Sequence, residues 1–557
     1  MTREVWFELV DIEGNALTDR VKELADTANV ADLRDAVFAR MSPALPEKFV
    51  AAYLTVFKNR AATKALGEDE LIGSSGGSKQ DALIVVVPAQ RRVISMSGTL
   101  VASLSTFATS SRIFPEWFYA RKESLEIFKV FKALMEAKLN VVFVGTPGVG
   151  KSTLVVLFAF YLALIQKKRV VLFRKQKGKG VSMLYLDAEN KRYWRKEEVG
   201  ISDIELVENR DFELCLDGLA YDDVRDHFGT LARFRMLATS VQYPMKDDDT
   251  PVLRRCLVPF WSLSDLRAVG AHVQWTEQQI KDRYFSSGGN LRDFLSEREI
   301  VESSIDQTVK SIEPVDAALF NTQYRDPSDR QVDRLRMTGI RANDHRELNK
   351  FLYSKHWVYV TTSEYALRQL GNIVKPSYYE ELWSKGCMLG DDGLMDIAFE
   401  NYVHTLARNG MKIELRVRAY DRVKARHHTY DSLQFEAKSC RNDGIDATEC
   451  DAAIKRLASS SDEYWYPSRR SLETIDCVAK LNMGGQPNMV GLIKITKSDT
   501  HTVDSKAVDK YAGFFPSGSR YVALVPNKET CDKFRFAPAS PDTKVPLYVA
   551  YITTWCT

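Results

Sequence analysis

The sequence predicts a multidomain α/β protein, and three observations carry that prediction. An apolar run, Leu139-Asn140-Val141-Val142-Phe143-Val144, leads into Gly145-Thr146-Pro147-Gly148-Val149-Gly150-Lys151-Ser152-Thr153 and then an apolar stretch from Leu154 to Ile165. That is a buried strand, a glycine-rich turn and a helix, the core of a P-loop NTPase with a mostly parallel sheet. Residues 1–90 read as strand, turn, strand, helix and two later strands, a small α+β roll of ubiquitin-like type. Residues 310–557 mix helical and strand patterns in the manner of an α/β domain with a mixed sheet. At 557 residues the chain is too long for one core. The expected parts are 1–90, a connector at 91–112, 113–300 and 310–557.

The net charge of +3 is nearly balanced, so nucleic-acid binding would have to come from local basic faces. The start, Met1-Thr2-Arg3-Glu4, lacks the apolar core of a signal peptide, and no run has the length of a membrane span. The cysteines are scattered with no C-x-x-C pair, so the sequence signals neither a zinc site nor a disulfide framework.

In the first part, Glu4 to Val10 reads as a strand and Asp11-Ile12-Glu13-Gly14-Asn15 as its turn. Apolar residues at Val30, Leu33, Val37 and Phe38 mark one face of a helix. Tyr53 to Lys58 alternates again, and Ala82 to Pro88 closes the unit as a buried strand. This part reads as an interaction module with no catalytic set. Residues 89–112 are rich in Ser, Thr and small residues and read as a connector, and Phe114 to Lys138 reads as helix.

The second part carries the clearest chemistry. Gly145, Gly148 and Gly150 let backbone N–H groups curl around a phosphate, and the following helix adds the positive end of its dipole. Lys151 is placed to reach the β- and γ-phosphates, Ser152 to hold Mg²⁺, and Thr153 to complete the loop. Glu213-Leu214-Cys215-Leu216-Asp217 ends a strand with an aspartate that would join Ser152 in the Mg²⁺ shell. Asp187, after Leu184-Tyr185-Leu186, is a rival of the same form; Asp217 is favoured because Arg235 to Ser240 supplies a polar-tipped next strand, with Thr239 or Ser240 as γ-phosphate sensor. Gly218 stands where many ATPases have a second acid, and Asp222 and Asp223 are the nearest substitutes, so slow hydrolysis or a switch is expected. Arg292 follows Gly288-Gly289-Asn290 and is placed to point a cation at phosphate, or alternatively to make a surface ion pair. The implied cofactors are ATP or GTP and Mg²⁺.

Two stretches carry a family resemblance. Leu54-Thr55-Val56-Phe57-Lys58 is similar in register to the LxLFLAK-type stretch in the ubiquitin-like N-terminal module of Crinkler proteins, known chiefly from oomycete pathogens. Val258-Pro259-Phe260-Trp261-Ser262-Leu263, followed by Arg283-Tyr284-Phe285-Ser286-Ser287-Gly288-Gly289-Asn290-Leu291-Arg292-Asp293-Phe294-Leu295, resembles the P-loop domain shared by Crinkler proteins and the retrotransposon hot spot proteins of trypanosomes. The resemblance implies secretion without a conventional signal peptide, action in a host cell and its nucleus, and host proteins as partners, with homo-oligomerisation a further expectation.

In that family a variable toxin-like module follows, often a restriction-endonuclease-type nuclease or a kinase. No H-R-D-L or D-F-G kinase signature is present in the sequence. A PD-(D/E)xK-type nuclease needs acids on adjacent elements to hold Mg²⁺, with a lysine nearby. Glu400 and His404 lie one turn apart on a helical stretch, Asp476 centres a strand, and Met489 to Lys497 is a strand after the loop Asn482–Asn488. Period two puts Lys494 and Thr496 on one face, where Asp476 and Lys494 can meet across neighbouring strands. This looks like the E…D…QxT variant of relatives and so implies Glu400, Asp476, Lys494 and Thr496 as the catalytic set, with Lys497 and His501 as further candidates and Asp476 as a metal ligand. Lys494 stands where relatives have an acid or amide, which weakens the metal site. Lys412, Glu414, Arg416 and Arg418 share one face of a strand that runs on to Arg422, Lys424, Arg426, His427 and His428, a candidate track for DNA phosphates. The expectation is a nucleotide-gated, Mg²⁺-dependent endonuclease causing host cell death; the alternative is a nucleotide-dependent DNA- or protein-binding effector with an inactive nuclease fold.

Overall fold

A computed structural model gives the fold as two compact units, 1–120 and 121–557. In the first it describes residues 2–10, 16–25, 28–41, 54–59, 61–62, 65–67, 69–86, 93–95 and 117–120. In the second it describes 121–176, 180–207, 211–231, 233–239, 252–312, 335–342, 348–420, 429–469, 472–483, 486–516, 518–538 and 541–555. No helix among them is long and apolar enough to cross a membrane.

In the first unit β1 (Thr2–Val10), β2 (Ala16–Ala25), β3 (Thr55–Phe57) and β4 (Leu83–Val86) form a sheet in the order β2-β1-β4-β3. β1 and β4 run parallel, and the other neighbours antiparallel. Alternation along β1 turns Val5, Phe7 and Leu9 to one face, where Val30, Leu33 and Val37 of the helix Val30–Met41 cover them. β5 (Val93–Ser95) pairs with β6 (Trp117–Tyr119). The helix expected from Phe114 therefore starts later, at Lys122–Glu136. The aromatic run Trp117-Phe118-Tyr119 has strand propensity and finds a pairing edge, which overrides the helical pattern around it.

In the second unit β7 (Asn140–Val144), β8 (Val170–Gln176), β9 (Gly180–Asp187), β10 (Arg192–Glu197), β11 (Glu213–Asp217), β12 (Phe234–Ala238) and β13 (Leu253–Leu257) form one sheet, ordered β10-β9-β8-β11-β12-β7-β13. From β8 to β13 all neighbours are parallel, while β8, β9 and β10 make an antiparallel meander at one edge. The parallel strands are near-continuous apolar runs, as burial on both faces requires. The glycine-rich turn after β7 thus opens at the carboxyl ends of the parallel strands, with β12 inserted between β7 and β11. This is the arrangement of a P-loop nucleotide-binding fold.

Beyond it, β14 (Met337–Ile340) pairs with β15 (Trp357–Val360). β16 (Ile413–Ala419), β17 (Asp431–Phe435), β18 (Cys440–Asn442), β19 (Tyr464–Tyr466), β20 (Cys477–Met483) and β21 (Gln486–Ile495) follow, then β22 (Thr500–Thr502), β23 (Ser519–Val525), β24 (Arg535–Ala537) and β25 (Leu547–Ile552). β22 and β24 form a small pair, and the rest make a mixed sheet ordered β17-β16-β25-β23-β21-β20-β19-β18. The loop expected over Asn482–Asn488 is shorter than its glycines, proline and asparagines suggest, because β20 and β21 stay paired out to Met483 and Gln486. The expected division near 300–310 falls within the helix Arg298–Lys310. Its Val301, Ile305 and Val309 share a core with Val403, Ile495 and Trp555, so the P-loop sheet and the C-terminal sheet belong to one folded unit.

Candidate functional site

Gly150 opens the helix Lys151–Phe160 without a side-chain cap, which leaves the N–H groups of the first turn facing the loop. Lys151 Nζ donates to the carbonyls of Gly145, at 2.6 Å, and Thr146, at 3.0 Å. No carboxylate pairs with it among the described residues. Burial, reinforced by Arg292 and opposed by Asp217, lowers its pKa to about 7. A half-buried ammonium whose partners are neutral carbonyls is suited to an anionic ligand.

Beside it, Ser152 Oγ donates to Asp217 Oδ1 at 2.7 Å. Register explains how these two meet and why Asp187 does not. Asp217 ends β11 opposite Arg174, near the end of β8, whereas β9 runs antiparallel and carries Asp187 back to the start of β8. There Asp187 accepts from Asn190 and pairs with Arg169, at the far end of the sheet from the glycine loop. The second oxygen of Asp217 accepts from Arg174 Nε at 2.9 Å, a contact no local motif announces. The basic run that starts at Arg174 thus begins with a buried ion pair. Thr239 is buried just beyond β12, its N–H bonded to Phe143 O at 3.1 Å, and Thr153 lies in the first turn of the Lys151 helix. Ser240 lies outside the described residues.

The missing second acid has a structural cause. Gly218 has φ of 81°, and a Cβ there would sit 2.1 Å from the carbonyl oxygen of Lys175. Only glycine is tolerated, so no glutamate can follow Asp217. The proposed substitutes are otherwise engaged: Asp223 accepts from Lys175 Nζ and Ala220 N, and Asp222 pairs with Arg225.

The Val258–Trp261 segment and the Gly288–Asn290 turn pack onto the loop. Buried Arg121 donates to the carbonyls of Pro259 and Phe260 and lies 4.7 Å from the Trp261 ring centroid, while Trp261 Nε1 donates to Val149 O at 3.0 Å. Gly148 has φ of 91°, and a Cβ there would overlap Asn290 Oδ1 at 1.9 Å. Asn290 in turn caps the helix Leu291–Leu295. Arg292 N bonds to Gly148 O, and its side chain is exposed without an ion pair among the described residues.

In the C-terminal layers the helix Asp392–Arg408 holds Glu400 fully within the core. Glu400 Oε1 accepts from Arg368 Nη2 at 2.9 Å, and Arg368 also pairs with Glu364. His404 stacks on Tyr466 and shares a 2.9 Å hydrogen bond with Tyr464. Burial pushes its pKa down, against the pull of Glu400 and Asp476 and with a push from Arg368. Asp476 and Lys494 do meet, at 2.9 Å, and the second Asp476 oxygen accepts from Ile495 N. His501 is held down at about 4 by burial and Lys494, with Asp476 opposing. Lys497 points its Nζ elsewhere, to Asp392, and donates its backbone N–H to Asp396, both at the start of the Glu400 helix, while Thr496 N donates to Leu524 O and its Oγ1 accepts from Ser498 N. Each acid of the expected catalytic set thus has a cationic partner, and Arg368, which supplies one of them, carries no sequence signal. No cluster of three or more His, Cys, Asp or Glu poised to hold a metal occurs among the described residues.

The expected DNA track loses one member. Arg418 is buried and donates to Cys531 O at 2.7 Å, because strand alternation is broken at the end of β16. Lys412 pairs with Glu414, and Arg422 through His428 lie outside the described residues.

No protein-family model matches the chain. No curated protein matches it either. Among solved structures the chain is similar to AMPPCP-bound DnaA from Aquifex aeolicus, at 10% identity and a TM-score of 0.22, over 52% of this chain and 88% of that one.

Proposed function

We propose that this protein is a nucleotide-dependent switch that turns its nucleotide over slowly and whose C-terminal sheet serves binding. The observation that carries the reading is the half-buried Lys151 amine, held by carbonyls beside the Ser152–Asp217 pair. Gly145, Gly148, Gly150, Lys151 and Thr153 would hold the phosphates of ATP or GTP, with Thr239 and Arg292 near the terminal phosphate. Ser152 and Asp217 would hold Mg²⁺, which neutralises phosphate charge when bound. Slow turnover follows from Gly218, where geometry admits no second acid.

A continuous set of contacts supports control of the C-terminal layers. Asn290 abuts Gly148, Gly289 N donates to Thr362 Oγ1 at 2.9 Å, and Ser363 caps the helix Glu364–Leu370, whose Arg368 holds Glu400. A displacement of the glycine loop has a packed route to that buried acid. The resemblance of the N-terminal and P-loop stretches to Crinkler proteins supports extending this reading to a secreted protein that acts in a host cell and its nucleus, with DNA or a host protein as partner.

The second reading, a Mg²⁺-dependent endonuclease built on Glu400, Asp476 and Lys494, has one observation in its favour. The Glu400 helix precedes antiparallel β19, β20 and β21, and β23 joins β21 in parallel, so both acids act electrostatically on His404. Plasmid incubation with Mg²⁺, with and without ATP or GTP, separates the two readings. The switch predicts NTP turnover below about 0.01 per second, in the range of unassisted P-loop switches, and intact plasmid. Nicking that Asp476→Asn abolishes, in a variant with unchanged circular dichroism, would establish the endonuclease instead.

A further inference from the structure

A pocket of about 360 Å³ opens between the helices Arg298–Lys310 and Glu364–Leu370, the last turn of Asp392–Arg408 and the segment after β19. Three guanidinium groups line it: Arg368, Arg408 and Arg469. Two already have carboxylates, since Arg368 pairs with Glu364 and Glu400, and Arg469 with Glu302 at 2.6 Å. Arg408 differs from both. Its guanidinium donates to Gly371 O at 2.7 Å, Asn372 Oδ1 at 3.0 Å, Thr405 Oγ1 at 3.1 Å and Tyr466 OH at 3.3 Å, all neutral. It makes no ion pair among the described residues, and its Nε is buried with no hydrogen-bond partner. The helix C-terminus beneath it supplies only part of a counter-charge.

Asn372 spends its Oδ1 on Arg408 and so presents N–H donors, while Asn442 spends its Oδ1 on Ser468 Oγ at 2.7 Å and its amide N–H on Tyr466. The wall also holds the Glu302 carboxylate, already paired with Arg469, so Arg408 is the guanidinium without a carboxylate of its own, and a cavity of this size around it suits an oxyanion with several acceptor oxygens. A tetrahedral phosphate uses more of these donors than a carboxylate with its two oxygens.

We propose that this pocket is a second ligand site, distinct from the glycine loop, that binds a small phosphate-bearing molecule through Arg408. Its ligand is free phosphate or a phosphomonoester. The site adjoins the Arg368–Glu400 pair and, through the Glu302 contact with Ser286, the helix that precedes the Gly288–Asn290 turn.

The test uses the full chain carrying Lys151→Ala, so that phosphate at the glycine loop does not contribute. Calorimetric titration with inorganic phosphate, and separately with glycerol phosphate, is expected to show saturable binding to one or both, with sodium acetate inert; tighter binding of one identifies the source. Arg408→Gln is expected to weaken binding by roughly tenfold or more, the worth of a charge-assisted contact. Asn372→Asp, which gives Arg408 a carboxylate without removing packing, is expected to do the same and keeps the test decisive if Arg408→Gln fails to fold. Absence of saturable binding, or binding that survives Asn372→Asp undiminished, overturns the proposal whatever the glycine loop does.

Discussion

Lys494→Met is expected to destabilise the protein by about 3–5 kcal/mol, the cost of breaking a buried ion pair by removing one partner. The pair is almost fully enclosed: Lys494 and Asp476 are 9% and 1% exposed at the side chain and 2.9 Å apart. The substitution leaves a buried carboxylate with the N–H of Ile495 as its remaining hydrogen bond from β21. Asp476→Asn combined with Lys494→Met removes both charges and is expected to recover most of the loss. Denaturation midpoints of the two single variants and the double variant measure this, and additive losses would contradict it. The result also bears on function. An inactive variant at Asp476 is proof of catalysis only where its fold is shown intact, because the change uncovers a buried ammonium.

Gly218→Glu, which installs the acid that the position after Asp217 lacks, is expected to fail as a gain of function. The side chain must adopt φ of 81° with its Cβ 2.1 Å from Lys175 O, so β8 and β11 must part or the turn must unwind. The expected cost exceeds about 3 kcal/mol, with strain and the steric clash acting together. NTP turnover, followed by phosphate release beside a thermal melt, is expected to fall with stability. A stable variant with faster turnover would contradict the account of Gly218.

How much of this was legible in the sequence depends on how local each feature is. The strand, glycine turn and helix around Lys151 are contiguous, and the rules for such a stretch place them directly. The choice between Asp217 and Asp187 rested on the following strand; what separates them in space is the reversal of β9, a property of pairing that no window of sequence contains. Arg174 is the register partner of Asp217, a pairing that the lysines and glycine following it in sequence do not signal. In the C-terminal part Asp476 and Lys494 do meet, but Asp476 lies just before β20 and not at the centre of a strand, so the contact does not come from the period-two pairing expected of it. Nor did the sequence show that they meet as a closed pair, or that Arg368, on a helix distant in sequence from Glu400, neutralises the other acid. Burial of Arg418 was hidden for the same kind of reason: its partner, Cys531 O, comes from a later helix.

The central claim is that the glycine loop binds nucleoside triphosphate through Lys151. Titration of the full chain with ATP and with GTP in Mg²⁺, by calorimetry, tests it most directly, with Lys151→Ala alongside. Micromolar binding of at least one nucleotide is expected, weakened about 100-fold or more in Lys151→Ala, as loss of hydrogen bonds to a charged group implies. The pH dependence carries the signature of the lysine itself. Its pKa of about 7 means that above this value it is largely neutral, and bound phosphate must recharge it by taking up a proton. Affinity is therefore expected to fall as pH rises above 7, by up to about tenfold per unit, and Lys151→Ala is expected to flatten that slope. No binding by the parent chain, or equal binding by Lys151→Ala with the same pH profile, would contradict the account.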